Sequence, residues 1–302
     1  MNPFVLLVGP TAAGKSALGL KLARHFGAGI LNCDSVQAYR RLDIGTAKPT
    51  PAEQAMAPHF LFGTRSPGES LTAGDYRKEA LAVLNREIPK RMMIGVGGSG
   101  FYVQALEKGM FDIDKPDPEI ERQVRGELEE NGLAWVYDRL RGLDPETAAS
   151  LSPNDAYRIT RALIVVRGGG EKLSALKKRF KPAPFPYPLL KLGLTLGRED
   201  LRPRVRARTE TMLKAGLLEE ARRLVEEGFE NWAPLQSVGY KECLQVLRGE
   251  LGEDKLADQI SEKTLQLAKK QRTWFQRDPG IHWLHPETAL EEAVARIQAF
   301  SP

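Results

Sequence analysis

Cysteine is almost missing from this 302-residue sequence: only Cys33 and Cys243 occur, and neither has metal-ligand spacing around it. That excludes a disulfide framework. Histidine is nearly as scarce. The one close pair, His282 and His285 in "HWLH", has no cysteine or acidic motif to complete a zinc site, so both are expected to be structural. No apolar run approaches the roughly 20 residues of a membrane span, and Phe4–Val8 is too short for the apolar core of an export leader. The expectation is a cytoplasmic protein with no membrane partner. Neither sign of charge dominates; a net +5 permits an acidic partner without demanding one.

What is present has the alternation of an α/β protein. Phe4–Val8 reads as a buried strand and Lys15–Phe26 as the helix after it. Gly29–Cys33 is a second apolar run ending at Asp34, Ala73–Leu84 is helical in pattern, and Arg91–Val96 is a third strand running into "GVGGSG". From Asp117 the pattern becomes helical, punctuated at Gly132 and Pro145. A helix over "SPNDAYRITRALIVV" has capping groups at its start and the glycines 168–170 at its end. "KPAPFPYP" (181–188) is a stiff connector. "LLKLGLTLG" returns a strand, and Leu201–Gly228, Gly239–Leu247 and Glu253–Trp274 are helical in pattern. The fold class is therefore α/β: a P-loop-type parallel sheet core with a mostly helical insertion domain and a helical C-terminal region. The divisions are 1–115, 116–188 and 189–302.

"GPTAAGKS" fits G-x-x-x-x-G-K-[ST] between a strand and a helix, the context that motif requires. Gly9, Pro10, Thr11, Ala12, Ala13 and Gly14 would curl backbone amides around an anion. Lys15 would place a charge on the outer phosphate, and Ser16 could hold Mg2+. The pattern indicates a polyphosphate without saying which. Asp34, at the carboxyl end of a strand, points into the crevice where α/β proteins bind ligands. There it could hold magnesium or accept a proton from a nucleophile; capping the turn "DSVQAY" is the plainer alternative. "GVGGSG" matches a dinucleotide loop but lacks the acidic residue that should follow, so it reads as a tight turn bringing Ser99 towards the same crevice. "YRITR" sets Arg158 and Arg161 on one helical face, and "RPRVRARTE" does the same for Arg204 and Arg208. "KKQRTWFQRD" interleaves cations with Trp274 and Phe275, a combination suited to phosphates and unstacked bases of single-stranded RNA.

Taken with "DSVQAYRRLDIGTAKP", "GGSGFY", "YRITRAL" and "SVGYKE", these stretches resemble the tRNA dimethylallyltransferase (tRNA isopentenyl transferase) family in its compact bacterial form. The motifs run in family order from residue 9 to 277. The resemblance implies that the loop holds dimethylallyl diphosphate in place of a nucleotide. It also implies that the acceptor is the exocyclic amine of the adenosine 3′ of the anticodon, extruded from the tRNA anticodon stem-loop. Asp34 would be the base, with Lys15, Ser16 and its Mg2+ stabilising the departing diphosphate; Arg204 or Arg208 would clamp it. Ser35, Val36, Gln37 and Ser99 would line the adenine site. Gln123, Tyr157, Arg158, Ile159, Thr160, Arg161, Lys269, Arg272 and Arg277 would contact tRNA, and a monomer is expected.

Two departures from the family pattern matter. Ser16 stands where threonine is common, and either hydroxyl can ligate magnesium. "PHFLFG" (58–63) replaces a "PHHLID"-like stretch, which leaves His59 as a packing residue. Three alternatives were open to the residues alone. A small-molecule kinase would use the loop and Asp34 but leave the basic clusters unexplained. A transferase acting on free adenine nucleotides would not need the insertion. An RNA-binding module would have no use for intact Lys15, Ser16 and Asp34.

Overall fold

Phe4–Val8 forms strand β1, buried on both faces, as an uninterrupted apolar run requires in a sheet covered by helices. Helix α1 (Lys15–Phe26) follows, started and stopped by left-handed Gly14 and Gly27. Strand β2 is Gly29–Asn32. Helices α2 (Pro51–Met56) and α3 (Ala73–Glu87) each open with a capping box, from Thr50 with Glu53 and from Thr72 with Asp75. The two-residue strand β3 (His59–Phe60) lies between them. Strand β4 (Met93–Val96) and helix α4 (Gly100–Lys108) flank the glycine-rich turn.

The computed structural model describes residues 2–110, 117–182 and 184–300. It separates into two compact units, Met1–Glu107 with Pro184–Pro302, and Lys108–Ala183. The expected division at 115–116 falls outside the described residues. In the expected connector, Phe185 packs on Phe4 of β1, ring centroids 5.5 Å apart.

That second unit is helical. Helix α5 (Pro118–Leu143) breaks its helical backbone at Gly132, φ 80°, where the sequence pattern is punctuated. Helices α6 (Pro145–Ala149), α7 (Ala156–Gly169) and α8 (Leu173–Arg179) follow. Val124, Val136, Leu140, Ala148, Ile159 and Leu163 form its core.

In the first unit, strand β5 (Leu189–Leu194) leads to helices α9 (Arg198–Lys214), α10 (Leu217–Glu226), α11 (Tyr240–Leu247) and α12 (Glu253–Phe275). Strand β6 (Ile281–Leu284) and helix α13 (Ala289–Phe300) complete it. The six strands lie in the order β3-β2-β4-β1-β5-β6, and each neighbouring pair is parallel. The carboxyl ends of β1, β2 and β4 therefore emerge side by side, carrying the 9–16 loop, Asp34 and the 97–100 turn to one edge. His282 lies on β6, where the Arg296 guanidinium approaches its ring. No described helix is long and apolar enough to cross a membrane.

Candidate active site

The loop after β1 owes its shape to close approach. A side chain on Gly9 would collide with the Leu194 carbonyl of the neighbouring strand, and its φ of 142° is open to glycine alone. No side chain caps the first turn of α1, so its amides are available to an anion at the positive end of the helix. The Lys15 ammonium donates to the Pro10 carbonyl at 2.7 Å. Burial pushes Lys15 down to about 8, against the pull of Asp34 and with help from the charge of Arg208.

A cavity of about 280 Å3 opens above the loop. Its lining includes Thr11, Ala12, Gly14, Lys15 and Ser16 of the loop, then Asp34, Gln37, Thr46, Arg204, Arg208 and Gln271. Asp34 is the one anion among these residues, against three cations. Desolvation lowers the pKa of Arg208, partly offset by Asp34, whereas Arg204 is exposed at the rim. Of the two arginines left open by the sequence, Arg208 is the half-buried one.

Asp34 is fixed from several directions. Its amide donates to Asn32 Oδ1 at 2.8 Å, and Asn32 Nδ2 donates back to the Asp34 carbonyl at 2.9 Å. Its own Oδ1 accepts from the Val36 amide at 3.0 Å. The turn-capping alternative and the cavity-facing role therefore coexist in one side chain, which has a second oxygen to spare. Ser99 holds the same turn: its hydroxyl accepts from the Ser35 amide at 2.9 Å and meets Ser35 Oγ at 3.1 Å. Ser35, Val36 and Ser99 thus build the turn beside the cavity.

The glycines of "GVGGSG" serve packing, not a dinucleotide. A Cβ on Gly98 would come within 2.5 Å of Gln271 Nε2, and one on Gly100 would collide with the Trp274 indole. Gln271 accepts from the Thr11 amide at 2.8 Å and donates to the Gly98 carbonyl at 3.0 Å, so α12 ties the loop to the turn. Sequence reasoning assigned "KKQRTWFQR" to RNA and missed this. It missed Asn32 and Thr46 as well; a polar residue ending the buried run "GILN" was the available signal for Asn32.

Several expected RNA contacts need correction. Ile159 is fully buried in the core of the helical unit, and Thr160 is 7% exposed, so neither presents a surface; of "YRITR", Tyr157 and Arg158 are exposed and Arg161 is half-buried. Tyr157 is 80% exposed, and Arg158 pairs with Asp155 at 3.2 Å. Gln123 is exposed and donates to Glu119 at 3.2 Å. Lys269 and Arg277 are exposed and Arg272 is half-buried, but Phe275 is buried and cannot stack on a base; Trp274 is 37% exposed. His59 is engaged by the Ala57 carbonyl at 2.7 Å and by the edge of Phe62, a packing role.

Comparison with known proteins gives one consistent result. The family profile described as IPP transferase matches residues 37–278. A tRNA dimethylallyltransferase of Bdellovibrio bacteriovorus is 44% identical over 299 residues, 98% of this chain and 97% of its own length. The solved structure of a tRNA isopentenylpyrophosphate transferase from Bacillus halodurans is similar with a TM-score of 0.70 at 30% identity, covering 99% of this chain and 95% of that one. A eukaryotic dimethylallyltransferase, solved acting on tRNA, gives 0.82 at 26% identity, covering 99% and 79%.

Proposed function

Because this chain belongs to the IPP transferase family, we propose that it transfers a dimethylallyl group from dimethylallyl diphosphate to the exocyclic amine of an adenosine in tRNA. The target is the adenosine 3′ of the anticodon. The observation that carries the reading is the charge layout of the cavity: one carboxylate, Asp34, opposite a loop and two arginines that are all electropositive.

In the reaction, the bond between the allylic carbon and the diphosphate oxygen breaks as the bond from that carbon to the adenine nitrogen forms. The diphosphate leaves with the bonding electrons, and the nitrogen loses its proton. The amides at the start of α1, with Lys15 and Arg208, meet the charge that grows on the departing oxygens, the term that usually dominates such catalysis. Asp34 takes the proton: its Oδ1 is engaged by Val36, leaving the other oxygen to receive a hydrogen bond from the amine and then the proton itself. Gln37 and Thr46 shape the wall on the acceptor side.

The donor set also suits magnesium. The Ser16 hydroxyl borders the cavity, and this metal is commonly held by one or two protein oxygens with the remainder from substrate phosphate and water. Bound there by Ser16, it would neutralise diphosphate charge. Incubation with labelled dimethylallyl diphosphate and an unmodified anticodon stem-loop, followed by digestion to nucleosides, is expected to place the label on one adenosine and release pyrophosphate. ATP hydrolysis or phosphoryl transfer with no labelled nucleoside would reject the proposal.

A further inference from the structure

Two stretches have no task in the chemistry above: residues 41–45 within "DSVQAYRRLDIGTAKP", and "SVGYKE". The structure joins them through Glu220 on α10. The Glu220 carboxylate accepts from three consecutive backbone amides, Asp43 at 3.0 Å, Ile44 at 3.0 Å and Gly45 at 3.2 Å. It also accepts from the Tyr240 hydroxyl. That hydroxyl in turn accepts from the Gly45 amide at 3.1 Å. Gly45 lies so close to the fully buried Tyr240 ring that a Cβ there would fall 2.5 Å from it. Two turns further along, at the C-cap of α10, Glu227 pairs with Arg41, which has a strained φ of 67°. The loop 41–45 is thus strapped to α10 at both ends.

The next residues of that loop reach the site. Thr46 lines the cavity, and the Gln37 amide nitrogen donates to the carbonyls of Thr46 at 3.0 Å and Ala47 at 3.1 Å. With both its hydrogens committed to the loop, Gln37 has its carbonyl oxygen left for the cavity. The placement of Gln37 is therefore a property of the loop, and the loop is placed by Glu220.

We propose that Glu220, oriented by Tyr240, is a positioning residue that sets the acceptor-side wall of the cavity and hence the choice of base. This rests on the transferase reading above. Three amides converging on one carboxylate make a strong, charge-assisted contact that a neutral amide cannot reproduce, since an amide group offers a single acceptor and its NH2 would face backbone donors.

The test compares Glu220→Gln, Tyr240→Phe and the rescue variant Glu220→Asp in the full chain, with dimethylallyl diphosphate and an anticodon stem-loop for turnover and inorganic pyrophosphate for binding. Glu220→Gln is expected to lower kcat/KM for the stem-loop by about tenfold or more, and Tyr240→Phe by about threefold. Discrimination between adenosine and other bases at the target position should fall in parallel, and pyrophosphate affinity should stay as in the wild type. Glu220→Asp should recover part of the loss. If Glu220→Gln does not fold, the same split in Tyr240→Phe carries the test. Lowered thermal stability with wild-type kcat/KM and base discrimination in the folded variants would overturn the positioning role. A wild-type protein with no prenyl transfer would instead overturn the transferase reading, so the two failures are distinguishable.

Discussion

The Thr11 amide donates to Gln271 Oε1 at 2.8 Å, joining the loop after β1 to a helix that lies 260 residues further along the chain. The same side chain holds the Gly98 carbonyl. Replacing Gln271 by alanine removes both bonds, each worth about 1 kcal/mol net, and frees an amide of the loop. The affinity for inorganic pyrophosphate is expected to drop about tenfold, read by calorimetry. Wild-type affinity would mean that the loop keeps its shape unaided.

Asp34 has two duties that a substitution can separate. Asparagine keeps an oxygen for the Val36 amide but removes the charge and the basicity; alanine removes everything. Asp34→Asn is expected to lower kcat by roughly 10²- to 10⁴-fold while stem-loop binding changes little. Asp34→Ala should be as slow and also bind RNA less well, because the turn carrying Gln37 loses its cap. Near-normal turnover by Asp34→Asn would remove the proton-acceptor role.

How much of this was readable in the sequence depends on the range of the signal. Phe4–Val8 and Lys15–Phe26 have the observed bounds because an apolar run, a glycine loop and a helix start are local features. The Gly132 break in α5 was legible for the same reason. Strand β3 has two residues and no periodicity to detect. Burial of Ile159 and Thr160 was missed because a motif names consecutive residues, whereas a helix such as α7 turns some of them inward. The contacts of Gln271 and Glu220 are made by folding, and their neighbours in sequence give no hint of them.

Lys15 makes the site sensitive to pH on the alkaline side. With its pKa lowered to about 8 in the free protein, it is cationic below that value and loses its charge as pH rises through it. Diphosphate binding favours the charged form, so the wild type should take up a proton on binding pyrophosphate near pH 8 and bind more weakly above it. Calorimetry in buffers of different ionisation enthalpy reads the uptake directly. Lys15→Met should bind weakly throughout and show none of that uptake beyond what pyrophosphate itself contributes.

The two arginines should separate cleanly. Arg208 is partly buried beside Lys15 and Asp34, where a charge-assisted bond to a diphosphate oxygen is worth about 2 kcal/mol; Arg208→Ala is expected to weaken pyrophosphate binding roughly thirtyfold. Arg204 is exposed, and screening by water limits an ion pair there to below about 1 kcal/mol. Its alanine variant should lose less than about fivefold. The reverse order would make Arg204 the clamp.

The helical unit has its own acid-sensitive point at Asp144, between α5 and α6. Its carboxylate accepts from the Thr147 amide at 3.1 Å, the Thr147 hydroxyl at 2.6 Å and the Ser174 amide at 2.9 Å, capping α6 and tying α8 to it. Burial pushes this carboxyl up, but those hydrogen bonds outweigh it and hold it at about 2, below its ordinary 3.8. The folded state therefore binds the proton less readily than the unfolded chain. The stabilisation is fully present above about 3.8 and is lost as pH falls towards 2. Asp144→Asn removes the charge at every pH, so its unit should be less stable than the wild type at neutrality by roughly 2 kcal/mol, a gap that closes on acidification. Hydrogen exchange at the amides of α6 and α8 in the full-length protein, followed from pH 7 downwards, measures both, and a gap that persists unchanged into acid would show that Asp144 acts by shape and not by charge.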